Sequence, residues 1–254
     1  MRPSCWPEAI WLVRHGESAG NVARNAAEAS GLAMIDIAQR DMDVPLSPLG
    51  ERQAEALGAW IGRLPKPERP TAIVTSPYVR AESTGRLAIE AAGYRPGDID
   101  FAVDERLRER EFGILDRLTK SGMRTRFPEQ AEFREFLGKF YHRPPGGESW
   151  ADVVLRLRTL LMTLTRDYED ERVLVVTHQV VILMFRYILE RLSEADVLQI
   201  DRECEVANCS LTSYEREGSD RQVSLQLTRF NDVSPLSVQG APVTEEPDVP
   251  VGPR

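Results

Sequence analysis

The amino-acid sequence predicts an α/β fold, a three-layer α/β/α sandwich around a mostly parallel central sheet. Three short apolar runs, at residues 10–13, 72–74 and 173–176, lack the in-out alternation of a half-exposed strand. This pattern is expected of parallel strands that helices cover on both faces. The segments between the runs carry apolar residues at helical spacing. Strands that alternate with helices are typical of a layered fold with a largely parallel sheet.

Capping residues and apolar periodicity predict four helices. Ser47 with Pro48 is typical of a helix start, because the serine side chain caps the first turn and proline suits the first helical position. Ser76 with Pro77 repeats this pattern, and Gly93 is typical of the end of the helix that follows. We therefore predict helices over residues 48–64, 77–92, 150–168 and 180–192.

The end of the sheet is predicted to be an antiparallel hairpin. Residues 209–216 and 222–230 have the composition of two strands, and the turn residues Glu-Gly-Ser-Asp stand between them at 217–220. This hairpin completes a single folded domain over residues 1–230.

Three segments lie outside the predicted core. Residues 24–44 form a mixed insertion, and residues 114–147 form a longer, charged, helical insertion that could lie over the site as a lid. From residue 231 onward Pro, Val, Glu and Gly dominate without periodicity, so we expect a disordered tail over residues 231–254.

The composition argues against several classes of partner. The net charge of -8 does not supply the basic face that nucleic-acid binding needs. No apolar run reaches the ~18 residues of a membrane span, and the N-terminus lacks the apolar stretch of a secretion signal. Cys5, Cys204 and Cys209 are too few for a disulfide framework, and three histidines without a Cys-x-x-Cys pair do not predict a zinc site. We therefore expect a cytoplasmic protein with no metal, no cofactor, no nucleic acid and no membrane partner.

Chemically active side chains follow the three predicted strands. Arg14 and His15 end the first strand, His178 follows the third, and Arg80 lies one helical turn after the second. Ligands of open parallel sheets bind at the carboxyl ends of the strands, so we expect these side chains to meet. The guanidinium fork matches a tetrahedral oxyanion with paired hydrogen bonds. Two forks and two imidazoles therefore predict a pocket for a phosphoryl group.

Short motifs around these residues follow one another in a fixed order. They are LVRHGES at 12–18, DVPLSPLG at 43–50, TSP at 75–77, LREREFG at 107–113, GES at 147–149 and THQ at 177–179. In this order they resemble the motifs of the histidine phosphatase superfamily, also called the phosphoglycerate mutase-like family, over roughly residues 8–230. The resemblance implies the phosphoglycerate mutase-like form of the α/β/α fold.

The resemblance also implies a role for each residue at the strand ends. His15 would be the nucleophile and would accept the phosphoryl group as a phosphohistidine, because a histidine with an ordinary pKa of about 6.5 is largely neutral at cytosolic pH. One ring nitrogen of His15 must be bare, so we expect the other to donate to a backbone carbonyl group. Arg14, Arg80 and His178 would hold the non-bridging oxygens. Asn21 could add a further donor, or could instead cap the segment that follows.

A leaving alkoxide needs a proton, and the resemblance places the carboxylic acid at Glu109. Apolar neighbours and the substrate phosphate are expected to raise its pKa, so that it acts first as acid and then as base for water. Glu105 and Glu111 are close rivals in the same charged stretch, and the spacing to Phe112 favours Glu109. No metal is required, because the arginines take the place of the cation.

Two branches of the superfamily compete as models for the substrate. Arg143 and Gln179 match positions that touch the sugar or its second phosphate in the fructose-2,6-bisphosphatase branch, although Gly146 replaces a lysine usual there. Lys120 has the spacing of a substrate lysine in phosphoglycerate mutases, but residues 179–181 replace their Gly-Asn-Ser. Ordinary surface charges are the alternative interpretation of Lys120 and Arg143.

The sequence is thus best interpreted as a metal-independent phosphatase that uses phospho-His15 on a small phosphomonoester, for example a sugar phosphate or bisphosphate. A phosphoglycerate mutase is the first alternative, and a non-catalytic module that binds a phosphorylated ligand is the second. The expected partner is a small anionic phosphorylated metabolite, and a homodimer is left open.

Overall fold

A sheet of six strands lies at the centre of the structure, a computed structural model that describes residues 6–218 and 224–245. In chain order the strands are β1 (Ala9–Arg14), β2 (Ala72–Thr75), β3 (Asp100–Val103), β4 (Arg172–Thr177), β5 (Leu211–Glu217) and β6 (Ser224–Asp232). Four strands run parallel in the order β3-β2-β4-β1, and β5 and β6 add an antiparallel hairpin beyond β1. The predicted mostly parallel sheet and its edge hairpin are confirmed, and the predicted turn extends outside the described residues.

Helices cover both faces of this sheet. In chain order the helices are α1 (Ala19–Ala29), α2 (Pro48–Arg63), α3 (Val79–Ala91), α4 (Lys120–Arg126), α5 (Pro128–Tyr141), α6 (Trp150–Asp167), α7 (Gln179–Leu189), α8 (Glu194–Glu203) and α9 (Ser234–Gln239). Ile10 and Leu12 of β1 pack in one core cluster with α6 and α7, while Trp11 and Val13 pack in a second cluster with α2 and α3. The three-layer prediction is therefore confirmed. Among the described residues no helix is both long and apolar enough to cross a membrane.

The strands that carry the predicted site are neighbours in the sheet. Every residue of β1 and β2 is buried, and so is all of β4 after its first residue. The register pairs Arg14 with Thr177 and Thr75 with Val176, so the three strands end at the same edge. The residues that follow the strands are brought together there, as in other open parallel sheets.

Capping explains where the predicted helices begin, with one correction. Ser47 caps α2 as predicted, because its side chain accepts a hydrogen bond from a backbone amide of the first turn. The predicted helix start at Ser76 is wrong, since α3 begins at Val79. The hydroxyl oxygen of Ser76 lies instead 2.8 Å from Nε2 of His178. Ser76 therefore belongs to the candidate site and not to a helix cap.

The two predicted insertions contain regular helices. α1 starts before the insertion expected at residues 24–44, because Ser18 and Asn21 form a capping box at its first turn. The charged stretch at residues 114–147 forms α4 and α5. Gly138, with φ 78° and ψ 160°, interrupts α5 near its end.

The expectation of a disordered tail from residue 231 is wrong for the part of the tail that the structure describes. β6 continues to Asp232, α9 follows, and Leu236 of α9 is fully buried. Beyond α9, the hydroxyl group of Thr244 accepts a hydrogen bond from the Gln53 side chain at 2.9 Å. Burial of Leu236 and these polar contacts order the segment up to Thr244 despite its composition. Residues 246–254 lie outside the described residues.

Candidate active site

His15 lies directly after β1, and its ring is held in one tautomer. Its Nδ1 donates to the carbonyl oxygen of Gly16 at 2.7 Å, and a carbonyl oxygen can only accept. Nδ1 therefore carries the hydrogen. The lone pair of Nε2 accepts a hydrogen bond from Nε of Arg80 at 3.2 Å. The carbonyl group that accepts from His15, which the sequence could not specify, is thus that of Gly16.

Gly16 and the backbone around His15 are fixed from several directions. The amide of Gly16 donates to the Thr84 hydroxyl oxygen at 3.0 Å, and the Asn208 side chain donates to the carbonyl oxygen of His15 at 3.0 Å. A Cβ atom at Gly16 would lie 2.5 Å from the carbonyl oxygen of Gly50. Only glycine fits at this approach of two backbone segments.

Arg80 projects from the first turn of α3 toward His15. Its Nη1 donates to the carbonyl oxygen of Asp41 at 2.6 Å and pairs with the Asp41 carboxylate at 3.0 Å. The guanidinium carbon lies 4.9 Å from the ring centre of Tyr78. Burial raises the pKa of Tyr78, whose hydroxyl group donates to Glu111 at 3.0 Å. Asp41 is thus an unpredicted neighbour of Arg80.

His178 follows β4 and faces His15 across the end of the sheet. The two ring centres are 5.1 Å apart at an interplanar angle of 63°. Nδ1 of His178 lies 3.9 Å from a carboxylate oxygen of Glu109. Both rings are fully buried. At this separation both imidazoles can touch one tetrahedral phosphoryl group.

Glu109 is the acidic residue of its stretch that lies beside the two histidines. Its side chain is 1% exposed and one carboxylate oxygen accepts a hydrogen bond from the Arg110 amide at 2.7 Å. Glu105 is exposed, and Glu111 is 47% exposed and bonded to Tyr78. The position of Glu109 therefore favours it over both rivals as the proton donor.

The segment that carries Glu109 is anchored by a network of charged residues. Arg156 of α6 donates from Nη2 to the carbonyl oxygen of Glu109 at 3.3 Å. Its Nε pairs with Glu148 at 3.0 Å, and Glu148 also pairs with Arg108 at 2.7 Å and accepts from the Glu111 amide at 3.1 Å. Glu148 belongs to the predicted GES motif, so this motif holds the acid's segment in place.

The remaining predicted residues divide into two groups. Arg14 is fully buried beside the site and donates from Nη1 to the carbonyl oxygen of Val206 at 2.6 Å, and buried Gln179 follows His178. Asn21 also lies at the site, but its side-chain oxygen accepts from the backbone of Ser18 at 2.9 Å, so it does cap a helix start.

Arg143 and Lys120 lie apart from the other predicted site residues. Arg143 is 65% exposed and pairs with Asp152 at 3.1 Å, and Lys120 begins α4. Neither residue lines the cavity that opens beside Arg80 and Glu109. The structure therefore does not bring these two residues together with the others.

A mixed polar and apolar cavity leads away from Arg80 and Glu109. It encloses about 530 Å³ of empty space, including its mouth. One part of its wall is apolar and the other carries charged and amide groups. The apolar residues are Ile35, Ile37, Val44 and Phe112, and the polar ones include Asn21, Arg24, Gln39, Asp41, Asp116 and Arg117.

The cavity is built in part by the two predicted insertions. Ile35 and Ile37 come from residues 24–44, and Asp116 and Arg117 come from residues 114–147. Arg117 donates to the carbonyl oxygen of Ile37 at 3.0 Å, which ties the insertions to each other. Burial raises the pKa of Asp116, and the neighbouring charge of Asp41 adds to this rise.

Comparison with known proteins decides the family. The family profile of the histidine phosphatase superfamily (branch 1) matches residues 10–228. The chain belongs to the histidine phosphatase superfamily. The predicted resemblance is confirmed, and so is the expectation that the fold is phosphoglycerate mutase-like.

Relatives of this histidine phosphatase include mutases and phosphatases. It is 29% identical over 226 residues to 2,3-bisphosphoglycerate-dependent phosphoglycerate mutase 2 of Gloeobacter violaceus. This match covers 88% of this chain and 93% of that protein. It is 31% identical over 195 residues to a 6-phosphofructo-2-kinase/fructose-2,6-bisphosphatase of Gallus gallus. That match covers 76% of this chain, and the chain spans 35% of the length of the bifunctional protein.

Solved structures of related proteins have the same fold. A mycobacterial glucosyl-3-phosphoglycerate phosphatase in complex with VO3 is 27% identical, with a TM-score of 0.66 over 89% of this chain and 99% of that chain. Bacillus stearothermophilus YhfR is 26% identical, with a TM-score of 0.70 over 90% and 98% of the two chains. These similarities support phosphatase activity at the level of the superfamily.

Proposed function

We propose that this histidine phosphatase hydrolyses small phosphomonoester metabolites without a metal, through a phosphohistidine at His15. The observation that carries the proposal is the tautomer of His15, whose Nδ1 donates to Gly16 and whose Nε2 faces Arg80. His178 and Glu109 stand on the other side of the same space. A nucleophile, oxyanion donors and a proton donor are thus within reach of one phosphoryl group.

In the first step Nε2 of His15 attacks phosphorus, and the bond from phosphorus to the substrate oxygen breaks. The leaving alkoxide takes the proton of Glu109, which becomes a carboxylate. Arg14, Arg80 and an N–H of His178 hold the non-bridging oxygens while charge moves across the phosphoryl group. Arg80 exchanges its bond to His15 for one to the phosphate during this step.

In the second step water attacks the phosphohistidine. Glu109, now a carboxylate, takes a proton from the water, and the phosphorus–nitrogen bond of His15 breaks. Inorganic phosphate leaves, and both His15 and Glu109 return to their starting states. One carboxyl group serves as acid and then as base, as expected from its single position beside the histidines.

Phosphoglycerate mutase activity is the second candidate. It is favoured by the match to the Gloeobacter violaceus mutase, which spans 93% of that relative. A mutase would pass the phosphoryl group from His15 to a hydroxyl group of the substrate instead of water. The absence of Gly-Asn-Ser at residues 179–181 favours hydrolysis.

The test is a single panel of phosphoryl-transfer assays on the wild-type protein and His15→Ala. Sugar phosphates, sugar bisphosphates, glucosyl and unsubstituted 3-phosphoglycerate and an aryl phosphate are assayed for phosphate release. Interconversion of 3-phosphoglycerate is followed with and without a bisphosphate primer. We expect phosphate release from several substrates and an acid-labile phosphohistidine, both absent in His15→Ala.

His142→Asn is the matched control, because His142 is the third histidine and belongs to no part of the proposed reaction. It should retain labelling and turnover. Labelling that persists in His15→Ala contradicts the proposed nucleophile, and primer-dependent interconversion without hydrolysis selects the mutase. Phosphate binding without any turnover would select the non-catalytic module.

A further inference from the structure

A second charged cleft lies between α5 and α8, apart from the catalytic cavity. It shares no lining residue with the cavity beside Arg80 and Glu109. The interruption of α5 at Gly138 leaves open space where a side chain would otherwise stand. The polar and charged lining residues are Arg134, Glu135, Lys139, Asp201 and Arg202.

Arg134 is the unusual member of this cleft. It is 5% exposed, and its Nη1 is buried with no hydrogen-bond partner among the described residues. The nearby carboxylate of Asp201 is already bonded to Lys139. Leaving a buried N–H of a guanidinium group without an acceptor is costly, so a native protein rarely does so.

Other cations lie close to Arg134. Burial lowers the pKa of Arg134 to about 10, and the opposite charge of Asp201 only partly offsets this effect. Burial also lowers the pKa of Arg110 to about 10, with repulsion from Arg134 as a further cause. The pKa of Lys139 is lowered by burial as well. Asp201 offsets the charges of Lys139 and Arg134, whereas Glu109, Glu148 and Asp152 act on Arg110.

We propose that the cleft binds a small free oxyanion of the size of phosphate or sulfate, with Arg134 as its principal donor. A guanidinium group presents several N–H donors in a rigid fork that matches two oxygens of such an anion. Arg202 lies at the same cleft and adds positive charge, while the carboxylates of Glu135 and Asp201 repel an anion from their side of the cleft. The bound oxyanion offsets the charge of Arg134 and supplies acceptors for its N–H groups. This site is separate from the phosphate site of the proposed function.

Arsenate locates both sites in one measurement, because arsenic scatters anomalously. Crystals of the wild-type protein soaked in arsenate should show one peak between His15 and Arg80 and a second peak at Arg134. In Arg134→Met the second peak should vanish while the first stays. A missing second peak, or one that persists in Arg134→Met, overturns the proposal; a missing first peak bears only on the proposed function.

Thermal unfolding in sulfate tests the site in solution. The measurement uses Arg80→Gln as background, so that binding at the catalytic site is weakened. At about ten times its Kd sulfate should raise Tm by about 3–5 °C, and Arg134→Met should abolish the rise. Arg134→Met should fold, because methionine removes a buried unpaired charge and keeps most of the volume. Arg158→Met, an exposed arginine of α6, should keep the full rise. Equal rises in all variants would show that sulfate stabilises the protein without Arg134 and would overturn the proposal.

Discussion

Nδ1 of His15 donates to the carbonyl oxygen of Gly16, the next residue in the chain, at 2.7 Å. This bond determines which ring nitrogen is nucleophilic, because a carbonyl oxygen cannot donate. The backbone at Gly16 is therefore part of the proposed catalytic apparatus, although glycine has no side chain. Its position is fixed in turn by Gly50, which approaches so closely that a Cβ atom has no room.

Gly16→Ala should lower kcat/KM by about 100-fold or more, because the backbone must move and the ring of His15 moves with it. The crowding should also lower the free energy of unfolding by about 1–3 kcal/mol. Phosphate release and urea unfolding check the two effects. Gly31→Asn is the control, because Gly31 lies in open space and asparagine tolerates its positive φ. Wild-type activity in Gly16→Ala would contradict the inferred role of this carbonyl group.

Asp41→Asn should strengthen phosphate binding. The Asp41 carboxylate pairs with Arg80 at 3.0 Å, so it competes with the phosphoryl group for the guanidinium. Its negative charge also repels the phosphoryl group. We expect the inhibition constant of inorganic phosphate to fall by about 3–10-fold. This change corresponds to removing about 1 kcal/mol of repulsion between like charges. Competitive inhibition measures this constant directly. Asp43→Asn is the control, because Asp43 pairs with exposed Arg40 and leaves Arg80 untouched. Weaker phosphate binding in Asp41→Asn would show that Asp41 orients Arg80 instead of competing.

Glu109→Gln should lose hydrolysis of alkyl phosphates by about 100-fold to 10,000-fold, because the alkoxide then leaves without a proton. The rate of aryl phosphate hydrolysis should fall much less, since the aryl leaving group is stable as an anion. Glu111→Gln is the matched control from the same stretch and should keep both activities within about threefold. The ratio of the two rates is the informative measurement. An equal loss on both substrates would contradict the assignment of Glu109 as the proton donor.

Arg156→Met should act on the same step from a distance, because Arg156 positions the Glu109 carbonyl group without reaching the phosphate. We expect kcat for alkyl phosphates to fall by about 10–100-fold with little change in KM, and the aryl phosphate to be less affected. Arg158→Met, two residues further along α6 and exposed, controls for the loss of a positive charge. A purely structural role would lower both rates equally, so equal losses would rule out positioning.

The sequence predicts the parts of the fold and site that depend on local pattern. The apolar runs of β1, β2 and β4 are buried almost throughout, and the parallel register then brings Arg14, His15 and His178 to one edge. These residues follow the strands directly, so their positions depend only on where each strand ends. This is why the core of the site could be predicted before its geometry was known.

Elements with weak local signals were missed. β3 lies at the edge of the sheet with exposed or half-buried residues, so it has no apolar run to mark it. α8 has a capping box at Ser193 and Asp196, a signal that could have found it. α9 depends on the burial of Leu236 against residues distant in the chain. Composition alone therefore suggested disorder where tertiary packing provides order.

Long-range partners of the site residues could not be predicted. Asp41 reaches Arg80 from a short 3₁₀ turn, and Arg156 reaches Glu109 from α6. Neither contact follows from sequence spacing. Arg143 matches a family motif, yet it is exposed and paired with Asp152, so motif spacing alone did not fix where its side chain lies.

His142 should make the protein less stable as the pH falls from about 6.5 to about 4. Burial lowers the pKa of His142 to about 4, with repulsion from Arg134 and Arg110 as further causes. In the unfolded chain its pKa is near the ordinary value of about 6.5. Between these values the unfolded state binds more protons than the folded state, so stability rises with pH across this window and is lost as the pH falls through it.

The contribution lost should be on the order of 2–3 kcal/mol at pH 4, because each pKa unit corresponds to about 1.4 kcal/mol. Other groups titrate in the same range, so the useful quantity is the difference between wild type and His142→Asn. Urea unfolding from pH 4 to pH 8 should show the stability advantage of wild type shrink on acidification, since asparagine cannot take up the proton. A difference that stays constant over this range would mean that the histidine is equally easy to protonate in the folded and unfolded chains.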